Sequence, residues 1–488
     1  MNETTKPKSR RIAIDPITRV EGHGKVTLLI DDNGHITQAR LHIVEFRGFE
    51  KFIQGRPYWE LPLLVQRLCG ICPVSHHLAA AKAIDQIAGV NNLSSPAIKL
   101  RRLMHFGQVL QSHALHFFHL ASPDLLFGYD SDTAKRNIIG VLKENPELAI
   151  KGIKIRKFGQ QIIQAISGKR IHGIAAIPGG MNRALKIDNI SGLKIDIKDI
   201  ISWTREAVML SKKLCLADEK LFKNFARFDT RYMSLVDGKG NLELYDGKIR
   251  VKNSDGSIHT DQFADNNYLN LINEDVRSWS YMKFPYLVEE GPETGWYRVG
   301  PLARLNNCDQ ISTPEAELFR QEFRNFNPHG LVHNTLAFHW ARMIEALHCA
   351  ESIALLLDDP DLMSDDLKRS GSKQNEGIGV IEAPRGTLFH HYQIDENDMV
   401  EKANLIVSTT SNNQAMNESI RQVANQYLDG KEITPELLNL IEVSIRAYDP
   451  CLSCATHAVG QMPLSIELVN LKGEQIHRLE KSNRGEFS

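Results

Sequence analysis

The chain has 488 residues, 42% of them hydrophobic and 24% charged, a globular composition with enough apolar residues for a large core. Its 58 basic and 59 acidic residues leave a formal net charge of −1, which removes the positive field that nucleic-acid binding needs. No apolar run approaches the roughly 18 residues that span a bilayer, and an odd, low count of seven cysteines argues against a disulfide framework and for reduced thiols in a cytosol.

The polar, basic start MNETTKPKSRR has no apolar stretch after it and reads as a loose tail over 1–11, not as a secretory signal. Export on a partner's signal stays open. KVTLLI (25–30), the turn DDNG (31–34) and HITQARLHIV (35–44) predict a hairpin. From about residue 60 the pattern turns helical, and the Ala and apolar spacing of HHLAAAKAIDQIA suits a buried helix. Long helices are predicted over 95–121, 198–229 and 313–357. Between the last two, residues 236–263 carry three turn signals around short strands and read as a β insertion on the surface. Strand and loop are predicted over 376–394, and helix again over 413–446. No internal repeat is present. The fold expected is α+β and mainly helical, a central bundle of long helices with small peripheral β-sheets.

Four of the seven cysteines form two Cys-x-x-Cys pairs, one near each end of the chain, in RLCGICPVSHH (67–77) and DPCLSCATH (449–457). Each pair can aim both sulfurs at one centre, and thiolates are soft ligands for zinc, copper(I), nickel or iron. A structural zinc ribbon normally joins pairs tens of residues apart, and these stand at opposite ends of the chain. A thioredoxin-type dithiol needs one pair and a βαβ context. Spacing alone therefore gives a four-thiolate metal site and leaves structural zinc and a catalytic soft metal both open. Cys215, Cys308 and Cys349 stand singly, as small buried apolar residues do. His113, His116 and His119 share a helical face, a pattern more often met in core histidines than in ligands.

The residues around the pairs carry a resemblance. RLCGICPVSH is similar to the N-terminal signature of nickel–iron hydrogenase large subunits, R-x-C-G-x-C-x-x-x-H, and DPCLSCATH to their C-terminal signature, D-P-C-x-x-C-x-x-H. DPITRVEGH (15–23), RGFE (47–50) and EAPRG (382–386) resemble further motifs of the same family in the same order, from about residue 12 to the end. The resemblance implies a single large-subunit domain over 12–457. Cys69 and Cys451 would be terminal nickel ligands, and Cys72 and Cys454 would bridge nickel to an iron carrying carbonyl and cyanide. Arg385 would sit over the open position, its fork of donors holding a cyanide; by itself this residue reads as an ordinary surface salt bridge. An arginine is a poor base, so a thiolate is the more natural first proton acceptor, and Glu21 matches the family's proton-relay glutamate. Glu50, His457 and the backbone carbonyl of Leu405 match ligands of a nearby magnesium or iron ion. His76 falls where the family has a histidine close to a bridging sulfur, and Asp124 and Asp449 match acidic residues near the arginine; a structural hydrogen bond is the plain alternative for both.

Where membrane-bound members have V-P-T-T, this chain has VSTTSNN (407–413), and Ser408 could donate to a cyanide as proline cannot. With RVGPLARLN (298–306), this makes the chain most similar to the hydrogenase subunit of soluble, bidirectional NAD-reducing complexes. The resemblance then implies a cytoplasmic enzyme with an iron–sulfur small subunit, diaphorase subunits carrying FMN and NAD, a maturation endopeptidase and nickel and iron insertion proteins. The chain has no further cysteine cluster for an iron–sulfur centre and no Gly-x-Gly-x-x-Gly turn, so those cofactors belong to partners. The alternatives are NADP or deazaflavin as acceptor, a metal-free scaffold like the large subunit of respiratory complex I, and a zinc-stapled interaction subunit. The family's precursors are cut after the C-terminal signature, which here implies removal of residues 458–488 and reads the full chain as a precursor.

Overall fold

The computed structural model describes residues 10–456 except 32–34, 133, 329, 430, 432 and 433, together with the backbone of two strands beyond them. Strands β1 (Arg10–Ile14), β2 (Gly24–Ile30) and β3 (Ile36–Ile43) form an antiparallel sheet in chain order. The expected hairpin is β2–β3, with Val26 opposite Leu41 and both fully buried. Its turn at 32–34 lies outside the described residues. β1 takes in Arg10 and Arg11, which the sequence reading assigned to the tail; residues 1–9 lie outside the described residues.

Helices α1 (Pro73–Ile87), α2 (Ser95–Leu115), α3 (Pro146–Ser167) and α4 (Ile187–Leu216) follow. α1 opens on Pro73, whose missing N–H costs nothing at the first helical position, and it is buried almost all round. α2 is capped by Ser94, whose hydroxyl accepts from Ala97 N–H at 3.4 Å. α2 and α3 meet backbone to backbone: a Cβ on Gly159 would lie 2.4 Å from the Gly107 carbonyl oxygen. α2 passes into a π-turn over His116–Ala121 just before Pro123, which has no N–H to return to the His119 carbonyl.

Strands β4 (Arg231–Val236), β5 (Lys248–Lys252), β6 (Ile258–Phe263) and β7 (Tyr297–Arg298) form one sheet in the order β7-β4-β5-β6. The short strands expected at 236–263 are present and β6 stays largely at the surface, but β5 is not a surface element: Ile249 and Val251, with Met233 and Leu235 just before the stretch, are fully buried and share a core with Val380 and Phe389. Helix α5 (Pro301–Asn307) follows that sheet, and α6 (Ala337–Leu357) runs through the middle of the bundle against α2 and α4. The helix expected over 313–357 is two, Pro314–Asn325 and α6, because Pro328 and Gly330 interrupt it.

Strands β8 (Glu376–Ala383), β9 (Gly386–Ile394) and β10 (Val400–Ile406) make an antiparallel sheet packed on α1. Ala383 pairs with Gly386, so Pro384 and Arg385 are the two-residue tip of the β8–β9 hairpin. The helical stretch predicted at 413–446 is likewise divided, into α7 (Asn413–Val423), with a π-turn after it, and α8 (Pro435–Arg446). Beyond the signature, β11 (Leu464–Val469) and β12 (Gln475–Lys481) pair antiparallel with each other.

Candidate metal centre

The two ends of the chain are sewn together at one place. Glu21 and Cys451 form a parallel bridge, with Leu452 N–H donating to the Glu21 carbonyl at 3.0 Å. Gly22 has φ +83°, and a Cβ there would lie 2.6 Å from Ser453 N, so only glycine lets the chain pass. Arg47 and Gly48 N–H groups both donate to the Thr456 carbonyl, at 3.2 and 3.3 Å. The N-terminal motifs thus hold the turn over 451–456 against Cys69, at the end of a 3₁₀ turn, and Cys72, at the start of α1.

The result is a cluster of four buried sulfurs, those of Cys69, Cys72, Cys451 and Cys454, all within 4.8 Å of one another. Cys69 Sγ lies 3.4 Å from Cys451 Sγ and accepts N–H bonds from Ile71 at 3.2 Å and Cys72 at 3.1 Å. Cys454 Sγ lies 3.3 Å from the Leu68 carbonyl oxygen and is in bonding contact with Cys451 Sγ; coordination would use the two as separate thiolates. Burial opposes charge on Cys69, but the Cys72 thiol and the Arg385 guanidinium bring its pKa below the ordinary value. Donating to Cys69, together with burial, pushes Cys72 up. Two thiols per arm, poised in this way, are a soft-metal ligand set.

Arg385 reaches this cluster from the hairpin tip. Its Nε donates to the Asp449 carbonyl and its Nη2 to Asp449 Oδ1 at 3.0 Å. Burial works against its charge, yet Asp449 and the cysteines hold its pKa above the usual arginine value, so it stays a cation. Arg385 Nη1, Asp449 Oδ2 and Thr456 Oγ1 are buried without partners among the described residues. Four sulfurs alone would saturate a zinc ion and leave that guanidinium nitrogen unsatisfied, at a cost on the order of 1–3 kcal/mol. A metal pair carrying further acceptor ligands fits the same residues and gives Arg385 Nη1 something to donate to.

The other predicted residues fall as follows. Ser453 donates to both Glu21 oxygens, from its hydroxyl and, at 3.2 Å, its N–H, which sets the carboxylate beside the C-terminal pair. His76 Nδ1 lies 3.1 Å from His390 Nε2, and His390 Nδ1 lies 2.5 Å from the Tyr392 hydroxyl. Burial, with Arg385 and Arg47 nearby, pushes His76 down to about 3, so its imidazole is neutral. Asp124 is not held by Arg385: its two oxygens accept from Arg19 and Arg446, each at 2.6 Å. The Ser408 hydroxyl is occupied by the Gly386 carbonyl at 2.6 Å. The next residue, Thr409, accepts Cys451 N–H at 3.0 Å, which leaves its own proton to donate; its place in the same VSTT run was the available signal.

Leu405 N–H donates to Glu50 Oε1 at 2.9 Å, and a small cavity beside them is lined by Glu274, Lys283 and Thr410. Burial raises Glu50 to about 7, against the pull of Lys283 and the Leu405 N–H. Glu274 and Lys283, paired at 2.8 Å, could not be anticipated from local sequence. His457 lies outside the described residues. Cys215, Cys308 and Cys349 are buried and single as expected, and burial pushes Cys215 to about 12 and Cys308 to about 11. His113 and His116 are taken by Glu345 and the Arg446 carbonyl, each at 2.7 Å.

A family model described as HoxL-like matches residues 11–46, and the nickel-dependent hydrogenase model matches 47–134 and 236–457. The chain is 45% identical to the NAD-reducing hydrogenase HoxS subunit beta of Cupriavidus necator, over 96% of this chain and 99% of that one. It is 41% identical to a component of the F420-non-reducing hydrogenase vhc of Methanococcus voltae, over 96% and 99%. A crystal structure of an NAD+-reducing [NiFe]-hydrogenase in the H2-reduced state superposes with a TM-score of 0.90 at 55% identity, covering 92% of this chain and 99% of that one.

Proposed function

The chain belongs to the nickel-dependent hydrogenase family, and we propose that it is the catalytic large subunit of an NAD-coupled nickel–iron hydrogenase, interconverting dihydrogen with protons and electrons. The observation that carries the reading is the cluster of four buried sulfurs beneath a buried arginine with a nitrogen free to donate. Cys69 and Cys451 would hold nickel terminally, while Cys72 and Cys454 would bridge it to iron. When bound, the pair with its carbonyl and cyanide ligands supplies an open position that polarises dihydrogen and takes up its electrons.

The chain's own residues do the rest. A terminal cysteine thiolate takes the first proton, since Arg385 is held as a cation beside Asp449. Glu21 sits against the Cys451 turn with both oxygens accepting from Ser453, a placement suited to passing that proton outward. Arg385 Nη1 and the Thr409 hydroxyl would donate to the ligands of a bound metal pair and orient them. The neutral His76, on the first turn of α1 beyond Cys72, is hydrogen-bonded to His390 and adds no charge there. Glu50, Leu405 and His457 would hold a magnesium or iron ion where Glu274 and Lys283 already face Glu50.

Electrons leave to a small subunit with iron–sulfur clusters, then to flavin and NAD on further partners, because the chain has no second cysteine cluster and no dinucleotide turn. No helix among the described residues is long and apolar enough to cross a membrane, in keeping with a cytoplasmic complex. Metal analysis and infrared spectroscopy of the purified complex test the whole reading. One nickel per large subunit, with carbonyl and cyanide bands from the iron beside it, is expected; zinc in place of nickel, or no nickel and no such bands, would refute it.

A further inference from the structure

Arg304 lies on α5, in the stretch RVGPLAR, behind the β8–β9 hairpin. It is fully buried, and so are the two carboxylates that face it, Glu345 on α6 and Glu382 on β8. All five of its N–H donors are engaged. Nε and Nη2 fork onto Glu345 at 2.5 and 2.6 Å, and Nη1 meets Glu382 Oε2 at 2.6 Å. The remaining donors go to main-chain carbonyls, Nη1 to Ala383 at 3.0 Å and Nη2 to Pro384 at 3.0 Å. These are the two carbonyls immediately before Arg385.

The other side of the tip is tied to the same lattice. Glu382 Oε1 accepts from the Thr387 hydroxyl at 2.7 Å and from Leu235 N–H at 2.9 Å. Glu345 also meets His113 on α2 at 2.7 Å, and although burial works against its charge, Arg304 and His113 bring it down to about 2. From the same stretch as Arg304, Gly300 closes on the tip: a Cβ there would lie 2.8 Å from the Arg385 carbonyl oxygen.

Stability does not explain such a set. Exchanging a buried ionic cluster for apolar residues of similar volume is often neutral or favourable, because desolvation offsets the attraction. What the cluster does supply is geometry. A planar fork with five donors can grip two carboxylates and two carbonyls at once, and an ammonium cannot. We infer that Arg304, braced by Glu345 and Glu382, is a positioning residue that fixes the hairpin tip and so aims Arg385 at the metal centre. The inference rests on the hydrogenase reading above for its consequence, though not for its geometry.

The test is a double-mutant cycle in the assembled holoenzyme with Arg304→Lys, Arg385→Lys and both. Arg304→Lys should keep its nickel and iron and its KM for dihydrogen, while kcat falls roughly tenfold to a hundredfold, as displacements of about 1 Å can cause. A cyanide band should shift in the infrared, and amide exchange across 383–387 should quicken. In the Arg385→Lys background, adding Arg304→Lys should change kcat less than about twofold, because the group it aims is already gone. Independent, multiplying losses would overturn the inference, as would native rates with unshifted bands. Should Arg304→Lys not accumulate as folded protein, Glu382→Gln run through the same cycle decides by the same criteria. A native complex without nickel or carbonyl bands would sink the hydrogenase reading instead, whereas unchanged exchange at 383–387 in the variant would sink the positioning alone.

Discussion

Replacing Glu21 by glutamine separates the chemistry at the metals from the exit of the proton. In the native structure the carboxylate accepts from the Ser453 hydroxyl and from Ser453 N–H at 3.2 Å. The amide oxygen can keep the hydroxyl bond. The NH₂ group cannot accept from the backbone N–H and must turn toward solvent, which the half-buried setting of Glu21 permits. One lost hydrogen bond in such a setting costs about 1 kcal/mol of stability, so the fold and the cysteine turn survive. The kinetic loss is of another size. General acid–base steps contribute roughly 10²–10⁴-fold, equivalent to about 3–5 kcal/mol of barrier. The variant should therefore show native carbonyl and cyanide bands, a thermal midpoint within a few degrees of native, and dihydrogen oxidation slowed at least about a hundredfold. Turnover within threefold of native would refute the assignment and move the relay to another carboxylate.

Alanine at any one of Cys69, Cys72, Cys451 or Cys454 should abolish activity and the native infrared bands, whereas alanine at Cys215, Cys308 or Cys349 should cost stability at most; full activity in one of the first group would disprove that ligand. Glu50, raised to about 7, binds its proton more tightly in the folded chain than in the unfolded one. Its contribution is thus complete below about pH 4.5 and is lost as pH rises through about 7, up to about 3 kcal/mol. Denaturant titrations of the chelated chain should show this slope, and Glu50→Gln or added magnesium should flatten it; a slope unchanged by both would exclude Glu50 as its source. Intact mass spectrometry of active enzyme should find a chain ending at His457, and full activity in a chain ending at Ser488 would dispose of the processing step.

Features that depend on near neighbours are legible in the amino-acid order. Period-two burial marks β2 and β3, alanine-rich apolar spacing marks α1, and paired cysteines within distinctive flanking residues mark both arms of the metal site. Local pattern was weaker at element ends: apolar periodicity carries across Pro328 and Gly330, and it says nothing of whether a β insertion is covered, as β4 and β5 are by β8 and β9. Which of the motif residues share a partner is settled by long-range packing. Asp124 answers to Arg19 and Arg446 instead of Arg385, and Ser408 spends its hydroxyl on Gly386 while Thr409 faces the cysteine turn. Arg304 and Glu382 fall within motifs that the resemblance picks out, but nothing local shows that they meet each other and Glu345 until three distant elements fold together. The physical reason is that a buried charge declares its function through the groups that satisfy it. Those groups are set by chain closure over hundreds of residues, as when Glu21 comes to lie beside Cys451, and not by sequence neighbours.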